Sequence, residues 1–148
     1  MGNITILIVS TIMILLSTDA VLADTSTTIP IYLQSYNGQY VAAENGGGGA
    51  VNANRQIAGL WETFTLVDIN GGQLSNGDSI RLITNDNIHF VVAENGGGRE
   101  IKADRTVASM WETFTIRKTD GTNNINDGDK VYIQVYNGDY VVAENGGG

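Results

Sequence analysis

The chain contains no cysteine, one proline and one histidine. Without cysteine it has no disulfide framework, thiolate nucleophile or cysteine-based zinc site. Basic residues are also few, with 8 Lys and Arg against 16 Asp and Glu, and the formal net charge is −8. Nucleic-acid binding is therefore not expected, because it depends on neutralising phosphates. No stretch shows sustained helical periodicity, whereas 19 glycines favour tight turns, so the expected fold class is all-β.

An apolar run occupies residues 4–16, and small and apolar residues precede Asp24. A run of this length is typical of a secretory signal peptide and is shorter than a transmembrane helix, which needs about 20 residues. We therefore predict a signal peptide over residues 1–23, a secreted domain over residues 24–148 and no membrane span after cleavage. A retained membrane-proximal anchor is the alternative, because no Lys or Arg precedes the run.

Two sequence blocks recur at intervals of 50 residues. The block that begins at Tyr40 and ends in three glycines returns at Phe90 and again at Tyr140. The block Trp-Glu-Thr-Phe-Thr that begins at Trp61 returns at Trp111. Repetition at this spacing indicates an architecture built from similar units. The units cover about 31–78, about 79–129 and, in part, 130–148.

Turn residues divide each complete unit into four short strands. The predicted strands are 31–35, 39–44, 50–54 and 61–67 in the first unit, 79–84, 88–94, 100–104 and 111–117 in the second, and 130–135 and 139–144 in the third. Four strands per unit and three units favour a β-trefoil, because a propeller needs about four blades.

The third unit is truncated after its second predicted strand, which suggests that the chain is a fragment. A swapped or partnered assembly is the alternative. We expect the chain as given to fold poorly alone, because two strands and the barrel closure that they provide are lacking.

Alternation along the predicted fourth strand places Glu62 and Phe64 on one face and Trp61 on the other. If Phe64 is in the core, Trp61 and its counterpart Trp111 face solvent, where an aromatic ring can stack on a sugar. The alternative is a bulge that turns each Trp inwards, since Trp is usually mostly buried.

Acidic, amide and basic residues lie close to these tryptophans in the predicted fold. Each second strand ends in Glu-Asn, and such groups beside an aromatic ring are suited to bind sugar hydroxyls. Alternatively, these residues only cap the turn before the glycines. The Glu after each Trp needs an ion-pair partner, for which the Arg six residues before the Trp is the candidate. The candidate carbohydrate-binding residues are Trp61, Trp111, Glu44, Glu94, Glu62, Glu112, Asn45, Asn95, Arg55 and Arg105.

The glycine block and the Trp block, with Ala53, Asn54 and Arg55 between them, resemble the fascin-like β-trefoil repeat. The chain is most similar to secreted carbohydrate-binding modules of that group, including family 92, which are often attached to a glycoside hydrolase domain. The resemblance covers residues 31–148. It implies a β-trefoil with up to three equivalent Trp-centred sites for polysaccharide, with β-1,3- or β-1,6-glucan as the ligand. Asp104 in place of Asn54, and the lack of a Trp in the third unit, depart from the pattern.

No arrangement of residues predicts catalysis. His89 corresponds to Gln39 and Asp139 in the other units. Glu44 and Glu62 could in principle serve glycoside hydrolysis, but the pair occurs twice, and repeated sites favour multivalent binding. We therefore expect a lectin-like domain that is not an enzyme and uses no metal or cofactor. The alternative is a fascin-like protein-interaction module that bundles filaments or docks a partner.

Overall fold

The structure is a computed structural model that describes residues 3–8 and 26–148. These residues form ten strands and three 3-10 turns, and no α-helix occurs among them, which confirms the all-β class. The strands are β1 Ile4–Ile8, β2 Thr27–Gln34, β3 Tyr40–Ala43, β4 Gly49–Arg55, β5 Phe64–Asp68, β6 Ser79–Ile83, β7 Phe90–Ala93, β8 Ile101–Arg105, β9 Phe114–Lys118 and β10 Lys130–Gln134. The 3-10 turns are Glu44–Gly46, Glu94–Gly96 and Glu144–Gly146. Within the ranges described, no helix has the length and apolar character needed to cross a membrane.

Six antiparallel strands close into a ring in the order β1, β2, β5, β6, β9 and β10, and β10 pairs again with β1. Alternate side chains of these strands point into the ring, because successive residues of a strand face opposite sides. The largest fully buried side chains include Ile6, Ile31, Phe64, Leu66, Ile80, Phe114, Ile116 and Val131. In a chain without disulfides, this apolar burial is the main source of stability.

Strand β1 completes the ring. Ile4 of β1 pairs with Val131 of β10, as Phe64 of β5 pairs with Ile31 of β2, and the other edge of β1 pairs with β2. β1 therefore takes the place expected for a fourth strand of the third unit. The expectation of an unclosed barrel is wrong, because a distant apolar segment supplies the closing strand.

Strand β1 lies inside the predicted signal peptide. Residues 1, 2 and 9–23 of that segment lie outside the described residues, whereas Ile4 and Ile6 are buried in the core. A chain cleaved before Asp24 would lack β1.

Two hairpins pack against the core. β3 pairs with β4, β7 pairs with β8, and β4 also meets β8. Val41, Val51 and Ile101 carry the packing of these hairpins against the core cluster.

The predicted strand 139–144 is not formed. Tyr140 makes one isolated bridge to Gln134, and the rest of the segment is not a strand. Its counterparts β3 and β7 each have a partner strand, β4 or β8. Within residues 3–8 and 26–148, no strand pairs with the outer edge of 140–143, and the ladder that would make this segment a strand is absent.

Candidate functional site

The first Trp block forms a turn followed by a strand, so the predicted strand 61–67 begins three residues too early. The Thr63 hydroxyl donates to the Gly59 carbonyl oxygen at 2.9 Å, and the Gly59 amide donates to Glu62 Oε2 at 2.7 Å. Strand β5 then begins at Phe64, which is buried. These two bonds fix the turn that presents Trp61.

The same turn recurs around Trp111. The Ser109 amide donates to Glu112 Oε2 and the Thr113 hydroxyl donates to the Ser109 carbonyl oxygen, both at 2.8 Å. Trp61 is 41% exposed and Trp111 is 39% exposed. The two side chains are therefore open to solvent, and no bulge turns them into the core.

Arg55 lies between the two glutamates of the first unit. Its Nη2 is 2.7 Å from Oε2 and 2.9 Å from Oε1 of Glu44, whereas its Nε is 3.7 Å from Oε1 of Glu62. The Asn52 side-chain amide also donates to Glu44, at 2.9 Å. The expected pair of Arg55 with Glu62 is thus the longer contact, and Glu44 is the main partner.

The second unit repeats this ion-pair arrangement. Arg105 Nη2 is 2.7 Å from Glu94 Oε1, and its Nε is 4.0 Å from Glu112 Oε1. Lys102 replaces the amide of the first unit, with its Nζ 4.0 Å from Glu94 Oε1.

Glu62 and Glu112 are only 5% and 4% exposed. Both carboxylates are directed into the turns that carry the tryptophans, so a ligand in solution has little access to them.

Asn45 and Asn95 occupy left-handed backbone positions, with φ of 60° and 57°, and their side chains are exposed. Asn adopts this conformation more readily than most residues. In the described part of the chain, the N-cap residues of these turns, Ala43 and Ala93, make no side-chain cap. The carboxylates of Glu44 and Glu94 are used in ion pairs rather than as turn caps.

Trp111 and Tyr136 flank Gly96. A Cβ at Gly96 would lie 3.1 Å from Cδ1 and Nε1 of Trp111 and 3.2 Å from Cδ1 of Tyr136. The absence of a side chain at Gly96 lets both rings approach the same backbone position. Tyr136 is 60% exposed, so both rings near Gly96 are open to solvent.

Tyr136 is not among the residues that the sequence pattern predicted for the site, although the sequence carries a signal for it. Tyr36 and Tyr136 both precede Asn-Gly in the turn between the first two predicted strands of their units. The second unit has Asn85 and Asp86 at the positions of this Tyr and Asn. The recurring Tyr is therefore not visible when only the first and second units are compared.

An open depression of about 570 Å³ adjoins Tyr136. Its lining residues are Arg81, Ser109, Met110, Thr113, Thr115, Gln134, Val135, Tyr136 and Gly138. Met110 and Tyr136 provide exposed apolar surface. The Thr113, Gln134 and Arg81 side chains provide polar groups. These already make bonds within the protein: Arg81 Nε donates to Thr113 Oγ1 at 3.3 Å, and the Gln134 side-chain amide donates to the Gly138 carbonyl oxygen at 2.9 Å. The volume is in the range of small-ligand sites, about 300–1,000 Å³. We call Trp111, Tyr136 and this depression the Trp111 site.

The surroundings of Trp61 are less suited to a ligand. Gly46 contacts Trp61, with a Cβ position 3.5 Å from its Cδ1, but the position of Tyr136 is taken by Asn85. Ile83 pairs with Thr65 as Gln134 pairs with Thr115, so an apolar side chain replaces the amide. In the third unit, Gly146 lies near Tyr36 without a Trp. The three units therefore do not carry equal sites.

No protein-family model matches the chain, and no curated protein matches it either. Among solved structures, the SDF2-like protein from Arabidopsis thaliana is similar, with a TM-score of 0.65 and 12% sequence identity. The similarity covers 80% of this chain and 77% of that chain. At this level of identity the likeness concerns the fold alone, and it agrees with an all-β structure built on a ring of strands.

Proposed function

We propose that this chain is a carbohydrate-binding domain whose main binding face is the Trp111 site. The observation that carries the proposal is that two exposed rings, Trp111 and Tyr136, both approach Gly96, and that Tyr136 also lines a depression with polar groups. Aromatic rings cover the apolar C–H face of a sugar, and hydroxyl, amide and guanidinium groups bind its hydroxyls.

Each residue of the Trp111 site has its own proposed role. Trp111 and Tyr136 stack on the sugar, and Gln134, Thr113 and Arg81 hydrogen-bond to it. Glu94 and Arg105 hold the turn beneath Gly96 through their ion pair. Glu112 holds the turn that carries Trp111 and has no contact with the ligand.

We propose that the fold is a β-trefoil. The recurrence of backbone contacts between units supports this. The Gly48 amide donates to Ala103 at 2.7 Å and the Gly148 amide donates to Ala53 at 2.8 Å, so the glycine loops of the first and third units each contact a third strand of another unit.

The proposed ligand is a neutral polysaccharide, with the β-1,3- or β-1,6-glucan of the fascin-like resemblance as the first candidate. The domain would act outside the cell, either alone or attached to a glycoside hydrolase. Secretion is proposed from the apolar run at residues 4–16.

The test compares Trp111→Ala with Trp61→Ala in pull-down and affinity electrophoresis with β-1,3- and β-1,6-glucans. We expect Trp111→Ala to weaken binding about tenfold or more, because central aromatic contacts carry much of a binding energy. Trp61→Ala is the matched control and should have a much smaller effect, since Asn85 stands beside the Trp61 turn at the position equivalent to Tyr136.

Tyr136→Ala should weaken binding in the same direction as Trp111→Ala. Unfolding curves that match the wild type establish that each variant is folded. A folded Trp111→Ala variant that binds as well as the wild type would exclude the Trp111 site, and absence of binding to any neutral glycan would exclude the proposed function.

A further inference from the structure

The outer face of strands β9 and β10 continues from the Trp111 site. Thr115 of β9 pairs with Gln134 of β10, and both residues line the depression. Two residues further along the same ladder, Arg117 pairs with Tyr132. Because side chains alternate along a strand and the intervening residues are buried, these four side chains share the outer face of the ring. We call these four residues the Arg117 row.

The Arg117 row lengthens the surface that a ligand in the Trp111 site can contact. Arg117 lies two residues beyond Thr115, so the row reaches about 7 Å past the edge of the depression. That distance accommodates a further sugar ring. A polysaccharide chain that occupies the depression can therefore also lie on the row.

Arg117 has hydrogen-bond donors that the fold does not use. Its side chain is exposed, and its Nε donates to Gln134 Oε1 at 3.3 Å. In the part of the chain that the structure describes, no carboxylate forms an ion pair with Arg117, whereas Arg55 and Arg105 each pair with a glutamate at 2.7 Å. The Nη groups of Arg117 are thus open to a ligand, and the guanidinium fork can donate to two neighbouring hydroxyl oxygens of a sugar.

Tyr132 supplies an aromatic surface next to Arg117. Its side chain is half-buried on the outer face and lies directly opposite Arg117. Side chains in such opposite positions have Cβ atoms about 5 Å apart. An aromatic ring beside hydrogen-bond donors repeats the combination of groups found in the Trp111 site.

The equivalent positions next to the Trp61 turn carry different residues. There Thr65 of β5 pairs with Ile83 of β6, and Val67 of β5 pairs with Arg81 of β6. Val67 thus stands where the second unit has Arg117, and Ile83 stands where the third unit has Gln134. The polar row accompanies the turn that has a second exposed ring nearby, which relates the row to the ligand and not to a need of the fold.

We propose that Arg117 and Tyr132 form an extension of the Trp111 site that binds a further sugar unit of the same chain. The domain then recognises a polysaccharide along its length and not through one sugar unit alone. The inference rests on the proposed carbohydrate function and adds to it the ligand length and two residues that recognise it.

The test measures the affinity of the full chain for a glucose disaccharide and for a hexasaccharide of the same β-linkage by isothermal titration calorimetry. Arg117→Val introduces the side chain present at position 67. We expect it to weaken hexasaccharide binding about threefold or more, because a hydrogen bond contributes about 0.5–1.5 kcal/mol, and to leave disaccharide binding unchanged. Tyr132→Leu should act in the same direction.

The decisive quantity is the ratio of the two affinities in each variant compared with that in the wild type, because a hexasaccharide also contains several overlapping disaccharides. Arg99→Val is the control, since it removes the same charge from an exposed position outside the row. Unfolding curves that match the wild type establish that each variant is folded.

Two results would overturn the extension. If the disaccharide binds, Trp111→Ala abolishes that binding, and the affinity ratio is the same in Arg117→Val as in the wild type, then the Trp111 site stands and the extension is wrong. If neither oligosaccharide binds with either linkage, the proposed function fails, and the extension fails with it.

Discussion

The glycine block illustrates how single residues determine the site. Asn45 takes a left-handed conformation, and Gly46 leaves room for Trp61. At Gly47 φ is 143°, and a Cβ would lie 2.7 Å from Thr84 Oγ1 and would also overlap Asp86. The sequence favoured tight turns at its glycines. It could not reveal that the loop packs on the next unit, because that contact joins residues about 40 positions apart.

Asp86 anchors the turn on which this loop rests. Partial burial raises the pKa of Asp86, but the amide of Ile88, the His89 ring, the Thr84 hydroxyl and the amide of His89 lower it by more, so its pKa lies well below the ordinary value. The His89 ring nitrogen Nδ1 lies 2.5 Å from Asp86 Oδ2. His89 thus has a structural contact that accounts for its position.

A pH dependence of stability follows from the lowered pKa of Asp86. A carboxyl whose pKa is lowered in the folded state stabilises the folded protein fully at pH values above its unfolded-state pKa, which is about 3.9. This stabilisation is lost as the pH falls from the unfolded-state pKa to below the folded-state pKa. We expect Asp86→Asn to lower the free energy of unfolding by about 1.5 kcal/mol at neutral pH, because hydrogen bonds to a charged acceptor are lost. Urea unfolding at pH 7 and at pH 2.5 measures the difference.

The difference between wild type and Asp86→Asn should shrink at the lower pH, because there the carboxyl is protonated in the unfolded state while the folded state keeps it charged. Asp120→Asn is the control for a carboxylate whose hydrogen bonds lie within one local turn, since Asp120 accepts from the amide and hydroxyl of Thr122. An equal effect of Asp86→Asn at both pH values would show that the charge of Asp86 does not stabilise the fold.

At the scale of elements, β1 determines whether the ring closes. Ile6 is fully buried in the core, whereas its neighbour Leu7 is only partly buried. We expect Ile6→Ala to lower the free energy of unfolding by about 2–4 kcal/mol, the usual cost of truncating a buried Ile. Leu7→Ala is the matched control on the same strand and should cost clearly less.

Mass spectrometry of the purified protein must accompany the Ile6 measurement. If the protein begins at Asp24 and is as stable as the full chain, β1 has no part in the mature fold. If residues 1–23 are retained and Ile6→Ala is destabilising, β1 is a structural strand and the N-terminal segment is not a removed leader.

Most of the elements follow from local pattern. Strands β2 to β10 were predicted to within a few residues, because period-two alternation and turn residues are local signals. β1 was not predicted as a strand, since a short apolar run gives the same pattern in a signal segment. The turn at residues 61–63 was taken as strand because alternation continues across it. The segment 139–144 was wrongly predicted because strand formation needs a partner, which no local pattern records.

At the scale of the whole molecule, the proposed binding site is shared between units. Trp111 belongs to the second unit and Tyr136 to the third, and they meet at Gly96. The resemblance to the fascin-like modules implied up to three equivalent sites, one in each unit. The second ring beside a Trp comes from the following unit. Because the second unit has Asn85 at the position equivalent to Tyr136, the Trp61 turn lacks this ring, and the sites are unequal. The sequence pointed to Trp111 but could not join it to Tyr136, since ring closure brings them together.

The net charge of −8 favours a neutral ligand over an acidic one. A strongly acidic protein repels polyanions at long range, and this repulsion is screened by salt. We therefore expect retention of the full chain by neutral β-glucan in affinity electrophoresis and no retention by an acidic polysaccharide such as alginate. Retention by the neutral polymer should be almost unchanged between about 0.1 M and 1 M NaCl, because stacking and neutral hydrogen bonds do not depend on charge.

Glu100→Gln, an exposed charge change away from the Trp111 site, is the control for mobility. Salt-sensitive binding to alginate would show that Arg81 and its neighbours recognise an anion, and would replace the neutral glucan as the proposed ligand.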